Sequence, residues 1–332
     1  MAFNRLAPED FVISTDSITA TLWSEGTVAL TKFHTSSNQE VGSSGDFYLN
    51  VFQTSSGDNA PVQFAIAYGN KYGSGSTFYN NAVTTASPTR TTYGQYRNLI
   101  LGDENAQFIF GAVTSSDFWV INIDRTRYKE SLLPGSLTLI LSGSGKLSLT
   151  DNSQISPTTI FNDAGRVYQI VSGAAGTVFT GINSNGYSTN SGSYGWFLPD
   201  IGTILLNPLA LSGSIKLSPS RTVNSDGLNY QKLFTAISGG ASFQINSQET
   251  ISSDYIFIRA RNAEFNYSEN PSFISGSTGE VVFNQFINNP QTFLTTIGLY
   301  NDNMELLAVA KISRPLLKDF TKEALVRVKL DF

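Results

Sequence analysis

The chain has 332 residues and a formal net charge of −5, with 14% charged and 12% aromatic residues. That length suits one large or two ordinary domains, and a chain poor in charge yet rich in aromatics is not disordered. The absence of cysteine excludes disulfides, thiolate metal sites and cysteine nucleophiles, while mild acidity without a Lys/Arg-rich run argues against nucleic acid as a partner.

In chain order, short strands dominate. "MAFNRLAPEDF" lacks the apolar run of a signal peptide, and no stretch approaches a membrane span of about 20 apolar residues. "DFVISTDSITATLW" and "DFYLNVFQTS" open the series. In "VQFAIAYGN", Val62, Phe64, Ile66 and Tyr68 share one face. "TTYGQYRNLILGD" (91–103) predicts a short helix ending at Gly102. "AQFIFGAV", "DFWVINIDR" and "GSLTLILSG" follow as strands. Between about 142 and 225 the texture becomes denser in Gly, Ser and Asn, around the strand cores "RVYQIV" and "TVFTGI" and a loop tip at "NSNGYSTNSGSYG". "DGLNYQKLFTAISGG" (226–240) has helical spacing closed by Gly239 and Gly240. "DYIFIRARN", "TFLTTIGLYND", "ELLAVAKIS" and "ALVRVKLDF" complete the strands.

The expected fold is therefore mainly β, with antiparallel sheets or β-sandwich-like domains and under a quarter helix. Three regions are expected: an N-terminal β domain (1–141), a Gly/Ser-rich β domain or insertion (142–225), and a C-terminal β-rich region (226–332) able to pack with the first.

Chemistry-bearing patterns are sparse. His34 is the only histidine and has no nucleophile elbow beside it. "SGSGKLS" (142–148) fails as a phosphate loop: Ile140 stands where the first glycine belongs, and Leu147 follows Lys146. No metal or nucleotide cofactor is expected. Asp117, Asp124, Glu130 and Asp200 are the carboxylates open to a glycan-cleaving pair. None lies in an informative motif; Asp124 reads better as a partner of Arg125 or Arg127, and Asp200 as a turn cap. Tyr194, Trp196 and Phe197 either stack on a sugar or partner protein or belong to a core.

The last 38 residues read as a compact terminal unit in which Leu307, Val309, Val326, Val328, Leu330 and Phe332 pack inward. Arg314, Lys318, Lys322, Arg327 and Lys329 add a basic face suited to an acidic neighbouring subunit, or merely solvated.

Five stretches resemble a family of virion structural proteins from tailed phages, especially the T4-like myoviruses of cyanobacteria. They are "VQFAIAYGNKYGSGSTFYNN…SPTRTTYGQYRNLIL" (62–101), "FWVINIDRTRYKESLLPGSLTLIL" (118–141), "YGWFLPDIGTILLNPLAL" (194–211), "DYIFIRARNAEFNYSENPSFISGSTG" (254–279) and the block from Thr295 to Phe332. The resemblance implies a non-enzymatic particle component, most naturally in the tail baseplate or its wedge, resident in the virion and assembled in the host cytoplasm. Its implied partners are other virion proteins and copies of itself. Two alternatives stay open: a peripheral receptor- or carbohydrate-binding protein facing a host-surface glycan, and a neck, collar or capsid-associated component. No catalytic residue comes with the resemblance.

Overall fold

A computed structural model describes residues 5–35, 48–55, 60–75, 87–155, 160–179, 187, 189–222 and 226–331. In chain order the strands are β1 (Phe11–Thr21), β2 (Ala29–Leu30), β3 (Tyr48–Phe52), β4 (Val62–Asn70), β5 (Phe108–Phe110), β6 (Val113–Ser115), β7 (Asp117–Ile123), β8 (Ser131–Leu132), β9 (Thr138–Ser142) and β10 (Lys146–Asp151). They continue as β11 (Ile160–Asn162), β12 (Gly165–Ala174), β13 (Thr177–Val178), β14 (Gly195–Leu198), β15 (Thr203–Leu206), β16 (Phe243–Gln244), β17 (Asn246–Ala260), β18 (Thr292–Tyr300), β19 (Leu306–Lys318) and β20 (Ala324–Asp331). The helices are α1 (Thr89–Leu101), α2 (Pro208–Ile215), α3 (Asn229–Gly240) and α4 (Asn284–Asn288). Among the described residues 45% are strand and 18% helix, so the fold is mainly β, as the alternating segments predict.

The chain divides into two units, Ile18–Glu249 and Met1–Ser17 with Thr250–Phe332. The boundaries expected at 141/142 and 225/226 both fall inside the first unit. Strands on either side of 141/142 pair directly, Leu139 with Leu149. Of the loop tip expected at 183–195, residues 183–186 and 188 lie outside the described residues.

In the larger unit ten antiparallel strands curl into a half-barrel, in the order β2-β16-β9-β10-β12-β14-β15-β7-β4-β3. The two ends of this path are tied by a bridge in which the His34 and Phe52 backbones exchange hydrogen bonds of 2.9 and 2.8 Å. Helix α3 packs against β9 towards one end and β4 and β3 at the other, so it fills the inner face. Alternation sends neighbouring side chains of one strand into different cores. Trp119, Ile121 and Ile123 of β7 join the inner core, where Phe243 sits 5.1 Å from Trp23 and 5.3 Å from Phe64. Phe118 and Val120 join an outer core roofed by α1 and the β5–β6 hairpin, with Phe108 4.7 Å from Phe118. Burial on both faces explains why β7 reads as an almost unbroken apolar run.

Helix α1 ends at Gly102 in the left-handed conformation, as expected. Helix α3 confirms the second helical segment, but its left-handed cap is Ala241. Gly240 serves a different need: a Cβ there would collide with the Ile140 carbonyl.

In the smaller unit β17 pairs with β20 over Ser253–Ala260, and β1 lies on the other side of β17 in the strand order. β18 and β19 form a separate two-stranded ribbon.

Candidate assembly surface

The ribbon begins with a conflict between sequence and pleat. "LLAVA" in β19 is apolar at every position, so alternation puts apolar side chains on both faces. On one face Ile297 and Leu299 lie opposite Ala310 and Ala308. On the other Gly298 lies opposite Val309 and Thr296 opposite Lys311, with Tyr300 paired to Leu306 after a register shift. Leu306, Leu307 and Val309 are 53%, 68% and 57% exposed. Leu307 and Val309 were expected to pack inward; among the described residues only two strands form the ribbon, and both side chains stay exposed. An isolated two-stranded hairpin is marginal in water, so this ribbon needs support.

Its base has that support. Lys318 is completely buried, and its ammonium donates to Asn262 O (3.0 Å), Asn266 Oδ1 (3.0 Å) and Asp319 O (2.9 Å). Thr292 at the start of β18 donates its hydroxyl to the Phe265 carbonyl. Both ends of the hairpin are thereby tied to the 262–266 loop. Its tip is closed by a turn, where Asn301 N donates to Glu305 O (3.0 Å) and Glu305 N to Asn301 Oδ1 (2.8 Å). Between Leu316 and Lys311 the register jumps against Leu294 and Thr296, so residues 312–315 bulge out of β19.

Charge along the ribbon is segregated. Asp302 and Glu305 stand at the tip, and Lys311 and Arg314 stand further along β19, all exposed. Asp302, Lys311 and Arg314 form no ion pair among the described residues.

The expected basic face is only partly present. Lys318 is turned inward, so it offers no surface to a partner. Lys322 pairs with Asp319 at 3.5 Å and Lys329 with Asp331 at 2.9 Å. The hydrogen bond between Lys329 and Asp331 holds the ammonium above its ordinary pKa and the carboxyl below its own. Arg327 and Lys329 lie over the Tyr255 ring at 5.5 and 5.9 Å. Arg314 and Arg327 remain exposed. The alternation of the terminal strand is as expected: Ala324 and Val328 are buried, Leu325, Arg327, Lys329 and Asp331 exposed. Phe332 lies outside the described residues.

The aromatic group belongs to the interior. Phe197 is completely buried in the inner core, and Tyr194 is buried with its hydroxyl 2.8 Å from Ser214 Oγ. Trp196 is half-buried against Phe108 and Phe110, at 5.7 and 5.5 Å. The cause is the position of β14, which has β12 on one side and β15 on the other. These rings are therefore corrected from a contact surface to core.

The four carboxylates serve separate local networks. Asp117 is buried and accepts from Tyr68 Oη (2.6 Å) and Arg221 Nε (2.9 Å). Burial and the Asp117 charge push the Tyr68 phenol well above its usual pKa. Asp124 caps a 3-10 turn by accepting from Thr126 N (2.9 Å), while Arg125 turns to the Tyr128 and Lys129 carbonyls, so the expected Asp124 ion pair is replaced. Asp200 pairs with Arg166 at 2.5 Å, and Glu130 adds to the field that raises the pKa of that arginine. Among the described residues no three His, Asp or Glu side chains gather as a metal site, and no helix is long and apolar enough to cross a membrane.

No protein family, curated protein or solved structure matches the chain.

Proposed function

We propose that this chain is a structural component of a tailed-phage virion, placed in the tail baseplate or its wedge and acting through protein–protein assembly. The observation that carries the assembly reading is the β18–β19 ribbon, apolar on both faces and joined to no larger sheet among the described residues. Exposed apolar surface of this kind marks interaction sites in soluble proteins. The particle assignment rests on the five quoted stretches that resemble virion proteins. The burial of Tyr194 and Phe197 takes support from the alternative of a sugar-stacking surface there.

The test is quantitative mass spectrometry of purified particles from the phage that encodes the chain, followed by a low-resolution map with the chain tagged. The expected result is a fixed copy number per particle, with the tag near the tail's distal end. Purified particles devoid of the chain would overturn the reading.

A further inference from the structure

We propose that a cavity between the end of β4 and helix α1 binds a phosphate group. The site is independent of the assembly reading above.

Its walls are two pieces of fixed backbone. After β4 the chain turns: Tyr72 N donates to Asn70 Oδ1 (3.1 Å) and Gly73 N to Asn70 O (3.0 Å), while Lys71 N reaches Ser116 O (2.8 Å). Arg90 N donates to Ser74 O (2.9 Å), which ties this turn to the first turn of α1. The cavity they enclose has a volume of about 410 Å³, room enough for a small ligand. Lys71, Arg90 and Arg97 all line it.

The charge there is one-sided. None of the three cations forms an ion pair among the described residues, and Arg97 Nε is buried without a hydrogen-bond partner. Neighbouring sequence cannot neutralise them: from 59 to 102 the chain carries these three cations and no carboxylate. A Cβ on Gly73 would come within 2.8 Å of Asp226 Oδ2, so that carboxylate lies beside the cavity. It is completely buried, and its oxygens already take the hydroxyls of Ser87 (2.8 Å) and Thr89 (2.6 Å). Asp117, whose charge reaches Tyr93 in the cavity wall, is offset by Arg221. One buried carboxylate against three cations leaves the cavity positive.

Two residues of α1 work against the helix itself. Arg90 sets a cation in the first turn, where the helix dipole disfavours it. Gly94 stands in the helix interior, where glycine is a poor helix former. A Cβ on Gly94 would meet nothing within 4 Å, so no packing contact requires the glycine. Arg90, Gly94 and Arg97 follow one another at helical spacing along one face. The bare backbone at Gly94 leaves a recess between the two arginines, and an anion seated there accounts for both anomalies. A phosphate monoester carries about two negative charges at neutral pH and three acceptor oxygens, which suits two arginine forks and a lysine. A carboxylate offers one charge and two oxygens.

Isothermal titration calorimetry of the full chain in low salt tests the site with four probes: inorganic phosphate, glucose 6-phosphate, glucose and acetate. The two phosphates should bind with a Kd on the order of 0.1–1 mM that weakens as salt is added, and glucose and acetate at least about tenfold more weakly. Tighter binding of glucose 6-phosphate than of inorganic phosphate identifies a phosphorylated molecule as the ligand; equal binding identifies the free ion. Arg90→Gln combined with Arg97→Gln should weaken binding at least about tenfold, whereas Lys311→Gln, at an exposed cation of the ribbon, should leave it within about twofold. Gly94→Glu places a carboxylate in the recess where nothing obstructs it. It should abolish phosphate binding and raise Tm, because it removes a helix glycine and supplies the arginines with a partner. The rise in Tm separates lost binding from lost folding. No binding of either phosphate at about 10 mM overturns the proposal. So does acetate that binds as tightly as phosphate, phosphate binding that survives Gly94→Glu or the double arginine change, or a lower Tm in Gly94→Glu.

Discussion

Lys318 shows how much one side chain can hide. From its neighbours it reads as one of five surface cations, yet it is wholly buried. Its acceptors Asn262 and Asn266 lie 56 and 52 residues earlier in the chain, beyond any local pattern. An ammonium has three N–H donors, and here three acceptors take them. Replacing it by a neutral chain of similar length removes a buried charge but strands three acceptors. The second effect dominates, because an orphaned buried polar group costs about 1–3 kcal/mol. Lys318→Met should destabilise the smaller unit by roughly 2–3 kcal/mol on that basis. Arg314→Met, at an exposed position, should change stability by under about 0.5 kcal/mol. Hydrogen exchange over residues 262–318 measures both; equal protection in the two variants would contradict the buried role. Tyr194 and Phe197 carry the same lesson in reverse. Aromatics beside a Gly/Ser-rich loop resemble a binding platform, and only their place on a strand flanked on both sides makes them core.

At the scale of elements, period-2 alternation was the dependable signal. It located β4, β9, β17, β18 and β20, while β7 and β19 were legible as short, nearly continuous apolar runs. Helix α2 escaped notice, although "NPLALSGSI" carries its own start signal. Asn207 caps it by accepting from Leu209 N at 3.0 Å, and Pro208 occupies the first turn. What alternation does not reveal is how many strands share a sheet. β18 and β19 were legible as strands, but not as a ribbon standing by itself. The terminal strand is different: its partner is β17 of its own chain. Val328 faces Ile256 and Ala324 faces Ala260, all four buried. Burial of Val328 alone contributes on the order of 1.5–3 kcal/mol. Truncation after Thr321 should therefore unfold the smaller unit. Amide protection should fall throughout 250–321 and persist within 18–249. Unchanged protection at Ile256 and Ile258 would show that β20 is dispensable.

For the whole molecule, composition suggested a boundary at 141/142, which falls within β9, and another at 225/226 inside the same unit. The Gly/Ser-rich stretch supplies β10, β12, β14 and β15, all of them in the half-barrel path. Turn-forming residues are dense there because short strands need many reversals, and that density does not distinguish an insertion from a meander. The unit Ile18–Glu249 owns both hydrophobic cores and all three tryptophans, Trp23, Trp119 and Trp196. Expressed as residues 18–249, it should fold by itself and remain monomeric by light scattering. Its tryptophan-detected urea midpoint should match that of the full chain. An aggregated or unfolded product would mean that its stability depends on the remaining residues.

Within that unit Ser247 Oγ donates to Ala20 O at 3.2 Å, across 227 residues of sequence. This bond has a bearing on the order of events during synthesis. Two strands searching for each other across so long an open chain would face a closure entropy of about 5 kcal/mol. Once 18–249 has folded, the segments leading into β1 and β17 already emerge side by side, and the search is over. Until then Phe11, Val12 and Ile13 of β1 wait without a strand partner on the nascent chain. The stretch from Leu306 to Lys311 leaves the ribosome later still. A product of stalled translation that ends before it lacks β19, and β18 is then left without its strand partner.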